Sequence, residues 1–324
     1  MKKIIVGLAA FAIITLCAGY VLAYSSMGNV ITPTQKDSIN LLGSSKGYSN
    51  TNVSFELQTS YPDVPEQVTI YNAESPKVSK ESFVTLGKNV GISGSLKEAQ
   101  NELVLSDSTH ILEIHEKSGR MAYIDNVRWN QITGKDTPAA IPSDSEAKKI
   151  ASEYLSKLDL MPKDAVFSQV EHQQILAVDS TGKTTNVPYE AIKVSYKRSI
   201  EGFPVVGAGS KLSVEVGGGG DVLQMYKLWR NYSPDEKMLI ITPTQAFDEF
   251  KAQGISGISA NGSTTVKITK MYLAYYEASA MEEQNQFLPV YVFEGKLDNQ
   301  GETSEFTEYV PAISDLGPTI PSTK

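Results

Sequence analysis

Apolar residues recur at helical spacing in three separate segments of the chain. In the second segment they advance in steps of three and one, which places them on one face of an α-helix: Ala147, Ile150, Ala151, Tyr154, Leu155 and Leu158. Ser143 and Glu146 just before this stripe have the spacing of a capping box, in which each side chain bonds a backbone N–H at the helix start. Thr242 and Gln245 repeat the box at the third segment, and the first runs from Lys80 to Gly91. The pattern predicts three helices.

Each predicted helix is followed by stretches in which apolar and polar residues alternate, the pattern typical of a half-buried strand. Ile111–His115 and Met121–Ile124 flank a tight turn with Gly119. Later stretches of the same kind are Ile192–Ile200, Leu212–Val216, Val222–Tyr226, Val266–Ile268, Met271–Tyr276, Pro289–Phe293 and Phe306–Val310. We therefore predict an α+β fold, in which an N-terminal membrane segment precedes repeated units of one helix plus an antiparallel meander sheet. Periodicity leaves open whether these units extend one sheet or stand as separate lobes.

Composition shifts divide the chain into six predicted segments. They are a signal anchor or signal peptide (1–23), a flexible Ser/Asn/Gly-rich tether (24–62), three α+β units (63–137, 138–236 and 237–312) and a disordered tail (313–324).

The N-terminus carries an export signal. Lys2 and Lys3 precede a 20-residue run, Ile4 to Ala23, without a charge. At 1.5 Å per residue such a run can cross a hydrocarbon layer of about 30 Å. An uncleaved anchor fits its length, whereas a signal peptide cut after Ala23 fits the small-residue site at its end. Both predict that the bulk of the chain lies outside the cytoplasm, either membrane-bound through a single pass or secreted.

Composition excludes several classes of chemistry. The chain has 324 residues, of which 41% are hydrophobic and 20% charged, an ordinary globular balance. Its net charge of −8 argues against a nucleic-acid partner, because such proteins need a basic face. One cysteine and three histidines exclude a cysteine-based zinc site within one chain and leave little room for a histidine-rich one.

Two glycine-containing segments resemble phosphate-binding loops only superficially. Ala177–Thr184 loosely matches a nucleotide-binding loop, but a strand pattern follows where a helix would be needed to hold the phosphate. Gly217–Gly220 also precedes an alternating strand rather than a helix. Both are predicted to be hairpin turns, and we expect no nucleotide or other cofactor.

The ionisable residues show no catalytic spacing. His110 and His115 are five residues apart in a predicted strand, so they point to opposite faces, and we expect exposed sheet histidines rather than metal ligands. The acid pairs Glu282-Glu283 and Asp248-Glu249 are interpreted as solvated charges. We therefore predict no catalytic residue and a non-enzymatic binding or regulatory protein. The alternative is a secreted hydrolase acting on glycans or peptides, with acids that converge only in the fold.

Aromatic residues supply the candidate contact surface. Tyr272 and Tyr276 share one face of a predicted strand, while Trp229 and Tyr232 lie between the second and third units. Tyr and Trp are frequent anchors at protein interfaces, so these four residues could line a partner-binding groove. The other interpretation is packing in the core and at sheet edges.

One motif resembles known families. In Tyr196–Gly207, a strand leads into the step Gly202-Phe203-Pro204-Val205 and then another glycine, and an alternating strand with a glycine turn follows. This pattern resembles the propeptide domains of thermolysin-type metalloproteases and the PepSY/cystatin-like group. The helix-plus-sheet units behind a single N-terminal span, together with the phrase Leu288–Gly295, are similar to the YycH/YycI extracytoplasmic regulators of a bacterial sensor kinase. The resemblance implies a domain that restrains a protease or modulates a membrane sensor kinase, because no protease domain follows, and it implies no catalytic residues.

Overall fold

The structure is a computed structural model that describes residues 53–131, 140–178, 184–255, 264–299 and 302–313. The predicted membrane segment from Ile4 to Ala23 lies outside the described residues, as do most of the predicted tether and nearly all of the predicted tail.

Strands dominate the described chain. In chain order they are β1 (Val53–Leu57), β2 (Gln67–Ala73), β3 (Ser95–Ala99), β4 (Glu102–Ser106), β5 (His110–His115), β6 (Met121–Asp125), β7 (Val166–Val178), β8 (Thr184–Lys197), β9 (Ser199–Ile200), β10 (Phe203–Gly207), β11 (Lys211–Val216), β12 (Val222–Leu228), β13 (Tyr232–Leu239), β14 (Thr264–Glu277), β15 (Gln286–Asn299) and β16 (Glu302–Pro311). The helices are α1 (Lys80–Asn89), α2 (Asn126–Gln131), α3 (Asp144–Lys157) and α4 (Pro243–Gln253).

The predicted α+β class with repeated helix-plus-meander units is wrong. The part of the chain that the structure describes is mostly β, with 52% strand against 19% helix, and its strands form two eight-stranded sheets. Two causes account for the difference. Hairpin strands such as β7, β14 and β15 reach 13 or 14 residues, beyond the stretches whose alternation is clear. In addition, β1 forms within the predicted tether, where it pairs in parallel with β14.

Among the residues that the structure describes, no helix combines the length and the apolar character needed to cross a membrane.

The chain folds into two compact units, and each interrupts the other in sequence. The first comprises Pro76–Arg198 and Ser210–Trp229; the second takes in the described residues up to Ser75, then Ser199–Gly209, and those from Arg230 onward.

The first unit is built on an antiparallel sheet with the strand order β3-β4-β5-β6-β12-β11-β8-β7. Helices α1 and α3 cover one face, where alternate strand residues form the core together with Phe83, Ala151 and Leu155. The glycine within α1 has a packing reason. A Cβ atom on Gly87 would lie 2.5 Å from the Leu105 side chain, so the close approach of this helix to the sheet requires glycine.

The second unit has the strand path β13-β2-β15-β14-β10-β9, with β1 added to β14 and β16 added to β15. Helix α4 packs on one face through Phe250, whose ring stacks on Phe293 with 4.4 Å between centroids. The predicted capping boxes are confirmed: Ser143 and Glu146 cap α3, and Thr242 and Gln245 cap α4.

A buried ion pair holds the C-terminal end of β14 in the second unit. The guanidinium of Arg230 lies 3.3 Å from the fully buried Glu277 carboxylate and also donates to the carbonyls of Ala278 and Ser279. A Cβ atom on Gly209 would meet the Glu277 side chain at 2.2 Å. The glycines after the Gly-Phe-Pro-Val step therefore serve close packing rather than ligand binding.

Candidate functional site

The sheet of the first unit has a polar face opposite its two helices. Alternation sends every second side chain to this face. One row runs across the strands in cross-strand register: Glu171, Lys193, Glu215, Gln224, Ile124 and Ile111. The neighbouring row contains Ser195, Ser213, Tyr226, Ala122, Glu113 and Val104. The face thus mixes charged, hydroxyl and amide groups with few large apolar ones.

Strand β7 forms one edge of this sheet, since β8 is the one described strand that pairs with it. Register shifts follow Phe167 and Gln174, and between them Gln169–Gln174 pair in unbroken register with Glu190–Ser195. Val166 and Phe167 at the start of the strand are 52% and 38% exposed. An exposed edge strand presents backbone N–H and C=O groups that another extended chain can pair with. β7 is therefore our candidate binding edge.

Helix α3 supports this edge from the other side of the sheet. The Lys148 ammonium lies 3.8 Å from the centre of the Phe167 ring. Asp144 at the helix start lies 2.7 Å from the Nε2 atom of His172. Because both contacts involve exposed groups, each adds little to stability, but together they orient side chains beside the edge.

Next to the edge, three charged side chains on the polar face form what we call the Glu215 cluster: Glu171, Lys193 and Glu215. The Lys193 ammonium lies 4.0 Å from the Glu171 carboxylate, at the limit of an ion pair. Glu215 is 8% exposed and accepts a hydrogen bond from Gln173, yet its Oε2 atom has no hydrogen-bond partner among the described residues. Burial raises the pKa of the Glu215 carboxyl, and Lys193 and Gln173 only partly oppose that effect.

A second charged group on the polar face consists of Arg120 between two carboxylates. The buried Arg120 lies 2.6 Å from the Glu102 carboxylate and 3.4 Å from that of Glu113. Burial raises the pKa of the Glu113 carboxyl, and Arg120 opposes the rise. One guanidinium bridging the side chains of β4 and β5 is a structural contact of the sheet.

The two histidines of β5 lie on opposite faces, as predicted, but neither is exposed, since the His110 side chain is only 21% accessible. His115 is 5% exposed, and its ring lies 2.9 Å from the Ser118 hydroxyl in the β5–β6 turn. The expectation of an exposed histidine is thus wrong here, because the turn folds back over the ring. His110 stacks on Tyr123 on the helix face, with 6.1 Å between ring centres.

Asp107 organises the loop before β5. Its carboxylate accepts hydrogen bonds from the backbone of Ser93, Thr109 and His110 and from the Thr109 hydroxyl. Burial opposes ionisation, but these donors outweigh it and hold the pKa of Asp107 well below its ordinary range. Within the described ranges, no group of three or more His, Cys, Asp or Glu side chains is arranged to hold a metal ion.

Of the predicted contact residues, Trp229 belongs to the first unit and is 8% exposed. Its indole N–H donates to the Asp164 carboxylate over 3.0 Å, and the Arg198 guanidinium lies 4.9 Å from its ring centre. Arg198 also donates to the Ser210 hydroxyl over 2.8 Å. Trp229 is a core anchor at the end of β12.

The three predicted tyrosines lie in the second unit, and they do not converge. Tyr272 and Tyr276 share a face of β14, as predicted; Tyr276 is buried, and the Tyr272 hydroxyl donates to Glu294 over 2.6 Å. Tyr232 packs edge-on against Tyr71 and Phe287, in the cluster that contains Tyr275 on the opposite face. Within this unit the tyrosines form two packing clusters rather than one groove.

The two glycine-containing turns are confirmed as hairpin connections. Val178 at the end of β7 pairs with Thr184 at the start of β8, so the segment resembling a phosphate loop joins two antiparallel strands. Gly217–Gly220 joins β11 to β12, with φ of 72° at Gly219 and 83° at Gly220. Positive φ explains the glycines at the tip.

Sequence reasoning did not find the β7 edge or the Glu215 cluster. The one available signal was Glu215 between Val214 and Val216 in an alternating strand. The alternation indicates the face on which Glu215 lies. The burial of Glu215 and its cross-strand alignment with Lys193 and Glu171 depend on the register of three strands, which a single sequence does not show.

Comparisons with known proteins add a distant likeness of fold. No protein-family model and no curated protein sequence matches the chain. An uncharacterized protein from Eubacterium rectale is similar over 89% of this chain and 99% of its own, with 11% identity and a TM-score of 0.44. YycH from Bacillus subtilis is similar over 76% of this chain and 53% of its own, with 12% identity and a TM-score of 0.39. The chain therefore spans about half the length of YycH. The resemblance to PepSY and thermolysin-type propeptide domains gains no support from these comparisons.

Proposed function

We propose that this protein is a non-enzymatic extracytoplasmic regulator that binds an extended segment of a protein partner along β7. The partner would be a protease that it restrains or a membrane sensor that it modulates. The single observation that carries the proposal is the edge position of β7, with its six-residue unbroken ladder and its exposed apolar start. The uncharged run behind Lys2 and Lys3 supports a location outside the cytoplasm.

The chemistry of the edge suits a peptide strand. Main-chain hydrogen bonds to an added strand give affinity, and alternate side chains give specificity. Val166 and Phe167 offer apolar contact at one end of the ladder. Glu171 is an exposed residue on the polar face of the sheet. Its backbone would lie one strand spacing, about 4.8 Å, from the added chain.

The register shifts at both ends of the ladder limit what can bind. Bulges twist an edge and interrupt pairing, which protects native edge strands against uncontrolled self-association. The unbroken ladder, Gln169–Gln174, accommodates a short extended segment of about six residues. A flexible linker or exposed loop of a partner matches that length.

Site-specific photo-cross-linking in intact cells tests the proposal. A photoreactive residue replaces the exposed Gln169 on β7, and the matched control replaces Lys149, which is 74% exposed on α3. We expect the β7 position to cross-link one extracytoplasmic protein through a single short segment, and the control position not to do so. Equal cross-linking from both positions, or none from β7, overturns the proposal.

A second variant pair checks that the edge itself is responsible. Val166→Lys combined with Phe167→Lys places charge on an exposed edge, a device that natural proteins use against strand addition. We expect the yield of the β7 cross-link to fall at least about tenfold in this variant, which should remain folded. Met281→Lys changes a residue that is 53% exposed in the second unit and should leave the cross-link unchanged.

A further inference from the structure

Beyond the edge strand, the Glu215 cluster has an incomplete set of contacts. Glu215 is more than nine-tenths buried, and its Oε1 and Oε2 atoms differ: the carboxylate accepts from Gln173, but Oε2 has no hydrogen-bond partner among the described residues. A buried carboxylate without its full set of donors is costly, because the protein does not replace the water that it loses. Such a group calls for a donor from outside.

The charge of the cluster identifies the kind of donor. Glu171 and Glu215 supply two carboxylates against the single ammonium of Lys193, and that ammonium lies toward Glu171 at 4.0 Å. One positive charge would therefore neutralise the cluster. Lysine and arginine side chains supply this charge together with N–H donors that bond carboxylates strongly.

The cluster faces the β7 side, but the Oε2 atom of Glu215 is itself covered in the unbound protein, so neighbouring side chains must move aside to admit a ligand. The exposed fraction rises outward along the row, from 8% at Glu215 to 32% for the Lys193 side chain and 47% for that of Glu171. A long, slender side chain can extend from Glu171 toward Glu215, with its aliphatic stem beside Lys193 and its charged end at Glu215. We infer that the Glu215 cluster is a second binding site, which receives a lysine or arginine side chain of a protein partner.

This site is separate from the β7 edge. A strand added to β7 would be three strand spacings from β11, about 14 Å, and a basic side chain on that strand could reach Glu171 but not Glu215. The basic side chain must therefore come from a segment that lies over the polar face. The inference thus goes beyond the proposed function, and either can fail without the other.

A carboxyl-selective NMR titration tests the site. The full chain, labelled with ¹³C at glutamate Cδ and held in a nonionic detergent, is titrated with Nα-acetyl-L-arginine amide and with Nα-acetyl-L-citrulline amide, its uncharged near-isostere. We expect arginine amide to move the Glu215 resonance saturably at pH 7 and to lower its titration midpoint. Citrulline amide should bind at least about tenfold more weakly, since it lacks the charge.

Two variants make the result specific. Glu215→Gln keeps the side-chain shape and assigns the Glu215 resonance by its disappearance, and it should also abolish the saturable shift of the neighbouring Glu171 resonance. Glu153→Gln removes the same charge from an exposed position on α3 and should leave both the Glu215 and the Glu171 responses intact. Equal responses to the two amides, or a Glu215 resonance that arginine amide does not move, overturn the inference. The comparison of the two amides in the wild-type protein decides the matter even where a variant fails to fold.

Discussion

Glu215 makes the stability of the first unit depend on pH. Burial raises the carboxyl pKa in the folded state, so the folded protein holds this proton more tightly than the unfolded chain does. The contribution of the Glu215 carboxyl to the free energy of unfolding is most favourable below the pKa of the unfolded chain, about 4.3. It falls as the pH rises through the raised pKa of the folded state. An ionised Glu215 thus destabilises the unbound protein at neutral pH, which is consistent with a group retained for binding.

Replacing Glu215 with Gln should therefore stabilise the protein at pH 7. The amide keeps the hydrogen bond with Gln173 and removes the buried charge, so we expect the free energy of unfolding to rise by about 1 kcal/mol at pH 7. At pH 4 the difference should be much smaller, because the carboxyl is then protonated in the folded state and about two-thirds protonated in the unfolded chain. Denaturant titrations at the two pH values measure the difference in the free energy of unfolding between variant and wild type, with Glu153→Gln as the control variant. A variant less stable than the wild type at pH 7 contradicts this account of Glu215.

Trp229 should act as a core residue. Trp229→Ala removes a buried ring and leaves the Arg198 guanidinium without its stacking partner, so we expect a loss of about 3–5 kcal/mol in the free energy of unfolding. Trp229→Phe keeps a ring but loses the donor to Asp164, at a cost of about 1 kcal/mol. If Trp229→Ala leaves stability unchanged and weakens partner binding, Trp229 is a surface contact after all.

The burial of Trp229 and Arg198 illustrates what local sequence does not show. Arg198 follows Lys197 in a polar stretch typical of a surface, yet its side chain is 1% exposed. Its partners Asp164, Ser210 and Trp229 come from distant parts of the chain and meet only when the sheet forms. Burial of charge depends on such tertiary partners and not on neighbours in sequence.

Helix α4 begins where its capping box predicts, and the cap should be energetically measurable. Thr242→Ala removes the hydroxyl that accepts from the Gln245 backbone N–H, so we expect a loss of about 1 kcal/mol in the free energy of unfolding. Thr244→Ala changes an exposed threonine within the first turn and should have a smaller effect. Equal effects in denaturant titrations of the two variants contradict a capping role for Thr242.

Helix starts and hairpins were predictable from the sequence because their signals are local. Capping residues lie three positions apart, and Gly119 in the β5–β6 turn has φ of 69°, which favours glycine. β1 was not predictable: Val53–Leu57 shows a short alternation in a polar segment, and its partner β14 lies more than 200 residues away. Parallel pairing at that separation has no local signature.

The interleaving of the two units was also beyond sequence reasoning. Residues Ser199–Gly209 leave the first unit for the second, where β10 pairs in parallel with β14. The motif from Gly202 to Val205 that resembled a known family is the hairpin that makes this excursion. A meander of consecutive strands was the simplest interpretation of the alternation, and the excursion breaks it.

Export of the whole molecule can be tested with a single introduced thiol. Cys17 is the only cysteine in the sequence, so Cys17→Ser combined with Lys149→Cys gives one thiol at an exposed position on α3. If the described part of the chain lies outside the cytoplasm, a membrane-impermeant maleimide should label this variant in intact cells. Labelling that requires cell lysis contradicts the extracytoplasmic proposal.

Hydrogen exchange along β7 tests the central claim most directly. In an antiparallel sheet, alternate N–H groups of an edge strand point outward and exchange readily until another strand accepts them. With the partner segment identified by cross-linking added in excess, the account predicts slower exchange at the outward-facing amides within Gln169–Gln173, with little change in β3 at the other edge. Protection elsewhere and none in β7 would show that the partner does not bind as an added strand.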